Sequence, residues 1–462
     1  MATERQRANE VRSEEDEQKD VAEHPRRKRA ICLAGGGPAA GLHIGILKGL
    51  KEAGIPVFEN NTDIWALSCI GAWVGVIYNQ ARGNKIEETT EFFRGVFRDD
   101  KSFHSFPLNT VFTPDWGGNA EAMWEFLIEP RNYKTIFLPK EIMKSFLYTA
   151  SALRQMSGIR RRRRHSSGQD FDEVEEFGRD FSEGDFNRWT LNQVMAVNPA
   201  VRLLTALAYK SKITGRSRLY YPDSSFLNDI DFKALEGKDK PFIYHNAWNL
   251  TKQRLVLFAN KEKKAAIFDD ATVTIEGYRT PINAASLCAC SALPYIEQTV
   301  TIGKDDYCEG ALVDTVNFRN LLEENPALEE IWVSRILDAN QVFPPRNLYD
   351  AEANLCELFA ATVGKDDVKL FEYHLKCEHR GRRIKVIEIP VSRHVNFDWS
   401  HSNLEQGIKH GIEAAKRAVA LYRRPPEGEP PWIIKESDTD REERKKKRAE
   451  EAQERTDFRT AW

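Results

Sequence analysis

The stretch Arg29-Ala30-Ile31-Cys32-Leu33-Ala34-Gly35-Gly36-Gly37-Pro38-Ala39-Ala40-Gly41 decides the fold. Arg29 to Ala34 reads as a short buried strand, because its run is apolar and ends at a turn signal. The three glycines make that turn. Pro38 suits the first turn of a helix, where its missing N–H would have no intrahelical partner. The helix runs to about Ala53, with Leu42, Ile46, Leu47 and Leu50 on one side, and Gly54 stops it. Ile64 to Ser68 reads as a second strand and Gly71 to Gln80 as a second helix, joined through Ser68-Cys69-Ile70-Gly71-Ala72. Strand–turn–helix twice in succession is the signature of an α/β layer fold.

The rest of the chain sets bounds. Its 462 residues suffice for one large core or two to three domains. The net charge of −3 gives no bias toward nucleic acid. No apolar run approaches the ~18 residues of a transmembrane helix. The N-terminal segment lacks the apolar core of a signal peptide. The seven cysteines form no regular framework, and Cys288-Ala289-Cys290 is too close for a C-x2-C metal pair. These features predict a reduced, cytoplasmic protein with no metal or organic cofactor.

Residues 1–28 are charged and nearly devoid of apolar residues, the composition of a disordered segment. The folded domain is expected over 29–424. Within it, 157–188 read as a charged, mobile insertion: five arginines, Arg160, Arg161, Arg162, Arg163 and Arg164, precede an acidic stretch from Asp170 to Asp185. The arginines could meet an anionic membrane surface, which would make the protein peripheral to membranes; the plainer reading is a linker neutralised by its own acidic neighbour. Phe242 to Asn249 and Arg254 to Ala259 read as paired strands, Glu330 to Ile336 and Arg383 to Ile389 as later buried strands, and His401 to Tyr422 as a long helix. Residues 425–462 read as a Pro-containing linker and a charged tail.

The two turns suit acyl transfer. Such chemistry needs a nucleophile on a tight turn, N–H donors for the oxyanion, and a base. Cys69 stands between a strand and a helix N-terminus, where it is presented and where the helix dipole favours its anion. Gly71 and Ala72 are small, as the bend requires. Gly35, Gly36 and Gly37 could turn their N–H groups toward the same point. The base candidate is Glu309, in Tyr307-Cys308-Glu309-Gly310-Ala311-Leu312-Val313-Asp314, with Asp314 as the alternative base or a brace for the turn. Ser68, one residue off the apex, should point elsewhere.

These blocks, with Ala284-Ala285-Ser286-Leu287-Cys288-Ala289-Cys290-Ser291-Ala292-Leu293-Pro294 just upstream of Glu309, resemble the patatin-like phospholipase family. That family has a Gly-rich oxyanion loop, a G-x-S-x-G elbow, an Ala/Ser-rich segment ending in Leu-Pro, and a D-G-[GA] turn bearing the catalytic aspartate. The resemblance covers roughly residues 29–424, in the expected order of blocks. It implies a three-layer fold with a central, mainly parallel sheet between helices. It also implies a lipid-type acyl ester or thioester substrate. Three positions depart from it. Leu67 replaces the first glycine of the elbow, Cys69 the serine, and Glu309 the aspartate, while many members carry a basic residue where Ala39 stands.

A Cys–Glu dyad is chemically coherent. A thiol titrates near ~8.5 and a carboxylate near ~4.3, so the mismatch is far smaller than for a serine hydroxyl. The thioester formed could pass to water or to another acceptor, so hydrolase and acyltransferase are both expected outcomes. Both side chains are longer than their family counterparts, so their backbones must sit further apart. The alternatives are a pseudoenzyme that keeps the pocket to bind a lipid or protein, and an adaptor at a membrane or granule surface.

Overall fold

The computed structural model describes residues 28–97, 116–136, 199–218, 225–263, 275–318, 324–337, 348–389 and 399–443, with a few isolated positions between them. The chain divides into two compact units: Met1–Thr113 with Ser217–Trp462, and Pro114–Arg216. In the second unit the described residues form helices α4 (Trp116–Ile128), α5 (Pro130–Ile136) and α6 (Pro199–Lys210). The insertion expected at 157–188, with Arg160 to Arg164, falls within this unit's span but outside the described residues.

The first unit is built on a ten-stranded sheet. Its strands are β1 (Lys28–Leu33), β2 (Ile64–Leu67), β3 (Phe242–Asn249), β4 (Arg254–Ala259), β5 (Ile275–Arg279), β6 (Val300–Ile302), β7 (Asp305–Glu309), β8 (Leu328–Ser334), β9 (Lys385–Glu388) and β10 (Trp432–Ile434). The order is β10-β9-β8-β1-β2-β3-β7-β6, with β4 on β3 and β5 on β4. The pairs from β10 through to β3 are all parallel, and β7 and β4 pair with β3 antiparallel. This is the mainly parallel α/β sheet expected. Trp432-Ile433-Ile434, inside the stretch read as linker, is its terminal strand on β9.

Both faces of the sheet are covered, which is why its strands read as continuous apolar runs. Ile31, Leu33, Trp65 and Leu67 face one core, built with α1 (Ala40–Glu52), α2 (Ile70–Gln80), α7 (Ala284–Cys290) and α9 (His401–Tyr422). Ala30, Cys32, Ala34, Ile64 and Ala66 face the other, with Val368, Phe371 and Leu375 of the 30-residue α8 (Leu348–Cys377). Helix α3 (Lys85–Val96) follows α2.

Helices α1 and α9 approach almost backbone to backbone. A Cβ on Gly41 would lie 2.2 Å from the Leu404 carbonyl oxygen, and one on Gly45 would lie 2.1 Å from that of Ile408. From the other side, a Cβ on Gly411 would lie 2.2 Å from the Leu42 carbonyl oxygen. The glycines at i, i+4 and i+8 of α1 thus form the contact stripe itself.

Strand β3 positions the functional site. Both β2 and β4 pair with Tyr244 and His245, so they occupy opposite edges of β3. Both β7 and β4 pair with Ala247 to Asn249, so β7 also lies opposite β4. Hence β2 and β7 share one edge of β3 and meet end to end. Leu67 lies opposite His245, and Glu309 opposite Ala247. The turn after β2 and the last residue of β7 are therefore neighbours.

Candidate active site

Cys69 is the apex of the turn between β2 and α2. It has φ +46° and ψ −123°, a region that non-glycine residues rarely occupy and that costs about 1–3 kcal/mol. Local hydrogen bonds fix it. Ser68 N–H donates to Leu33 O (3.0 Å), Gly71 N–H to Ser68 O (2.9 Å), Ala72 N–H to Cys69 O (2.9 Å), and Cys69 N–H to Cys290 Sγ (3.1 Å). Gly71 is required for steric reasons: a Cβ there would lie 2.1 Å from the Leu33 carbonyl oxygen. Leu67, which replaces a family glycine, is fully buried, and Gly75 one turn into α2 makes room for it.

The structure brings Cys69, Glu309 and the glycine turn together. The Cys69 thiol and the buried Glu309 carboxylate are close enough for each to shift the other's titration. A Cβ on Gly35 would lie 3.1 Å from Cys69 Cβ, 3.0 Å from Ala311 Cβ and 3.8 Å from Glu309 Oε1. Gly35 N–H donates to Thr315 O (3.3 Å), so its donor is taken. Gly36 packs on Ile336, and Gly37 has φ +57°. Among the described residues, neither Gly36 N–H nor Gly37 N–H has a hydrogen-bond partner. His43 anchors the root of this loop. Its Nε2 donates to Ala34 O (2.9 Å) and its Nδ1 accepts from Ser334 Oγ (2.8 Å), while burial pushes its pKa down to about 4 and keeps it neutral.

The electrostatics differ from the expectation of an acidified thiol. Burial, and then the Glu309 carboxylate, push the Cys69 thiol well above the ordinary thiol range. Burial pushes Glu309 up to about 7, against the lowering effect of the neighbouring Cys69 thiol. A helix N-terminus contributes about 0.3–1 kcal/mol, whereas full burial moves a group by as much as 3–5 pKa units. Desolvation wins, and the resting site holds an un-ionised thiol beside a carboxyl that titrates near neutrality.

Ser68 and Asp314 belong to a brace beneath the elbow. Ser68 Oγ donates to Asn246 Oδ1 (2.8 Å), and Asn246 Nδ2 donates to Asp314 O (2.6 Å). Asp314 Oδ1 accepts from Asn317 N–H (2.6 Å), and Asn317 Nδ2 donates to Leu67 O (3.0 Å). The ring closes on the residue that precedes Ser68. Ser68→Ala is therefore expected to cost about 1 kcal/mol of stability, by leaving Asn246 short of a donor, and to leave labelling of Cys69 by electrophiles intact. Paired thermal melts and peptide mass spectra of the two proteins check both halves.

Sequence reasoning did not assign Cys290, Asn246, Ser291 or Asn317 to this site. The one local signal was the Asn283-x-x-Ser286 spacing, a capping box that starts α7 and fixes where Cys290 falls. Of the tryptophans beside the elbow, Trp65 is core, stacked on Tyr78 and donating to Phe58 O (2.6 Å). Trp73 Nε1 donates to Ser291 Oγ (2.7 Å) and its ring stacks on Phe226. Among the described residues no group of His, Cys, Asp and Glu is placed to hold a metal ion, and no helix is long and apolar enough to cross a membrane.

No curated protein sequence matches the chain. Among solved structures, VipD from Legionella pneumophila is similar with a TM-score of 0.34 and 11% identity, over 86% of this chain and 67% of that one. The family model described as patatin-like phospholipase matches residues 31–322, which run from β1 and the glycine turn through the elbow to the turn after Glu309. That match spans well over half of the sequence, and the chain belongs to the patatin-like phospholipase family, a family of lipid acyl hydrolases.

Proposed function

We propose that this protein transfers acyl groups from a lipid ester or thioester through an acyl-Cys69 intermediate, with Glu309 as the proton acceptor. The observation that carries this reading is the elbow apex Cys69 and the buried Glu309 meeting at the glycine turn, where a Cβ on Gly35 would lie 3.1 Å from Cys69 Cβ and 3.8 Å from Glu309 Oε1, with burial pushing Glu309 up to about 7. A general base is most effective when its pKa lies near the working pH.

The un-ionised thiol sets the order of events. Cys69 Sγ attacks the carbonyl carbon as its proton passes to Glu309, so the thiolate never stands free in the buried site. The carbonyl oxygen becomes an oxyanion, and the N–H groups of Gly36 and Gly37, which have no hydrogen-bond partner among the described residues, stabilise it on this reading. Glu309 then returns the proton to the departing alkoxide or thiolate, and the acyl thioester remains on Cys69. Water, or an acceptor alcohol, amine or thiol, gives its proton to Glu309 and attacks the thioester. Collapse releases the acid or new ester, and the sulfur recovers the proton. Hydrolysis and transfer differ only in which acceptor reaches the thioester.

A second reading has its own support. Burial, Glu309 and Cys290 all raise the thiol, and only the Ile70 amide opposes them. A nucleophile this far from ionisation also suits a pocket that holds a lipid without turning it over. Intact-protein mass spectrometry after brief exposure to acyl esters and acyl thioesters separates the two. The expected result is an acyl adduct on the wild type that is absent from Cys69→Ala. No adduct and no turnover across the panel, with the fold intact by circular dichroism, would replace the enzyme by the binding protein.

A further inference from the structure

The short turn that ends α7 touches both members of the proposed dyad. Three successive residues each hold a different part of the site. Cys290 Sγ accepts from Cys69 N–H at 3.1 Å. Ser291 Oγ accepts from Trp73 Nε1 at 2.7 Å, one turn further along α2. Ala292 O accepts from Glu309 N–H at 2.9 Å. All three residues are buried, Cys290 completely. The elbow and the base strand are thus hung from one rigid segment as well as from the shared edge of β3.

The chemistry of these contacts is specific. Cys69 holds a strained backbone, and its N–H points away from the usual helix and sheet partners. Without Cys290 this buried donor would be unsatisfied, and the strain would lose an opposing contact. A thiol also keeps its partner further off than a hydroxyl would, because sulfur is larger and its bond to carbon longer. That matters here because cysteine and glutamate both reach further than the serine and aspartate of the family pattern. The backbones that carry them must stand further apart, and catalytic geometry tolerates errors of only about 1 Å. Cys288, two residues earlier, makes no such contact; burial, and then the Glu297 carboxylate, push its thiol up.

We propose that Cys290 is a positioning residue: through the turn Cys290-Ser291-Ala292 it sets the spacing between Cys69 and Glu309 across which the proton moves. This rests on the dyad reading above.

The test does not need a lipid substrate. The rate at which iodoacetamide alkylates Cys69 is measured by peptide mass spectrometry in wild type, Glu309→Gln, Cys290→Ala and the double variant, across pH 5–9. In the wild type the rate is expected to rise through about pH 7, as Glu309 ionises and can take the thiol proton. Glu309→Gln is expected to slow alkylation roughly tenfold and to abolish that rise. Cys290→Ala is expected to slow it comparably and to flatten the same rise. Adding Glu309→Gln to Cys290→Ala should then slow it less than about twofold further, the non-additivity of two residues that act as one unit. Cys290→Ser keeps a shorter acceptor and should fall between; it carries the same cycle if the alanine variant does not fold. Should Glu309→Gln slow alkylation as much without Cys290 as with it, the positioning role is wrong and the dyad stands. Should Glu309→Gln leave the wild-type rate and its pH profile unchanged, the dyad is wrong and the positioning role falls with it.

Discussion

Glu309→Gln is expected to lower kcat at pH 8 by roughly 10²–10⁴-fold and, at the same pH, to make the protein harder to unfold. The loss of rate follows from the un-ionised thiol. The Cys69 thiol lies far above neutrality, so without an acceptor its proton has nowhere to go as the S–C bond forms. The wild-type rate should climb as pH rises through about 7, where Glu309 ionises, and this limb should vanish in the variant. No falling limb from Cys69 is expected on the alkaline side, because ionising the thiol only helps attack. The gain in stability is a linkage effect. Glu309 titrates at about 7 in the folded state against 4.5 as its ordinary value, so its contribution is intact below pH 4.5 and is lost as pH rises through 7. Glutamine has no such loss, and the variant should be roughly 1–3 kcal/mol more stable at pH 8 than at pH 4.5 relative to wild type. Glu357, also pushed up to about 7 by burial, adds the same slope to both proteins and cancels in the comparison. Denaturant melts at the two pH values, beside a kcat profile, check both claims. A variant that kept its rate, or a stability difference that did not change with pH, would contradict them.

The second large effect is on folding. Gly45→Leu places a side chain where a Cβ alone would lie 2.1 Å from the Ile408 carbonyl oxygen and 2.8 Å from its carbon. The atoms in the way are backbone of α9, so no rotamer change relieves the clash and the helices must separate. The contacts of Gly41 with Leu404 and of Gly411 with Leu42 would loosen with them. A cost of about 3 kcal/mol or more is expected, at the upper end for overpacking. In a domain this size that lowers Tm by roughly 4 °C or more. Gly95→Leu is the control, since a Cβ there meets nothing within 4 Å. Equal melting temperatures for the two variants would show that α1 and α9 do not need their close approach.

What was legible in the sequence divides along the range of the interactions. Phe242–Asn249, Arg254–Ala259 and His401–Tyr422 have the bounds their patterns give, because each is set by its own periodicity and turn residues. The glycine turn and the elbow were equally local. Helix α8 has no counterpart among the expectations. Its inward face runs through Glu357, Ala361, Gly364, Val368 and Phe371, but Leu355, Leu358, Phe359, Leu370 and Tyr373 are apolar and exposed, which blurs the stripe. Trp432–Ile434 is too short to announce a strand. The glycines of α1 were passed over for its larger side chains, although it is the glycines that meet α9. Within the site, the order of the blocks could be read, but not that β2 and β7 would share an edge of β3, which depends on register between distant segments. The thiol's acidity went the other way from the dipole argument because burial is a property of the whole fold.

The contact between Cys69 and Cys290 joins residues 221 positions apart in the chain. During synthesis at about 5–20 residues per second, the thiol leaves the ribosome roughly 10–45 s before the segment that will hold it. For that interval Cys69 sits on a nascent chain without strut, base or strained elbow, and its reactivity is that of an ordinary cysteine. On the function proposed above, a cell making this protein is thereby spared an acyl-transferring thiol on unfinished chains, since the elbow is complete only when most of the fold has been delivered.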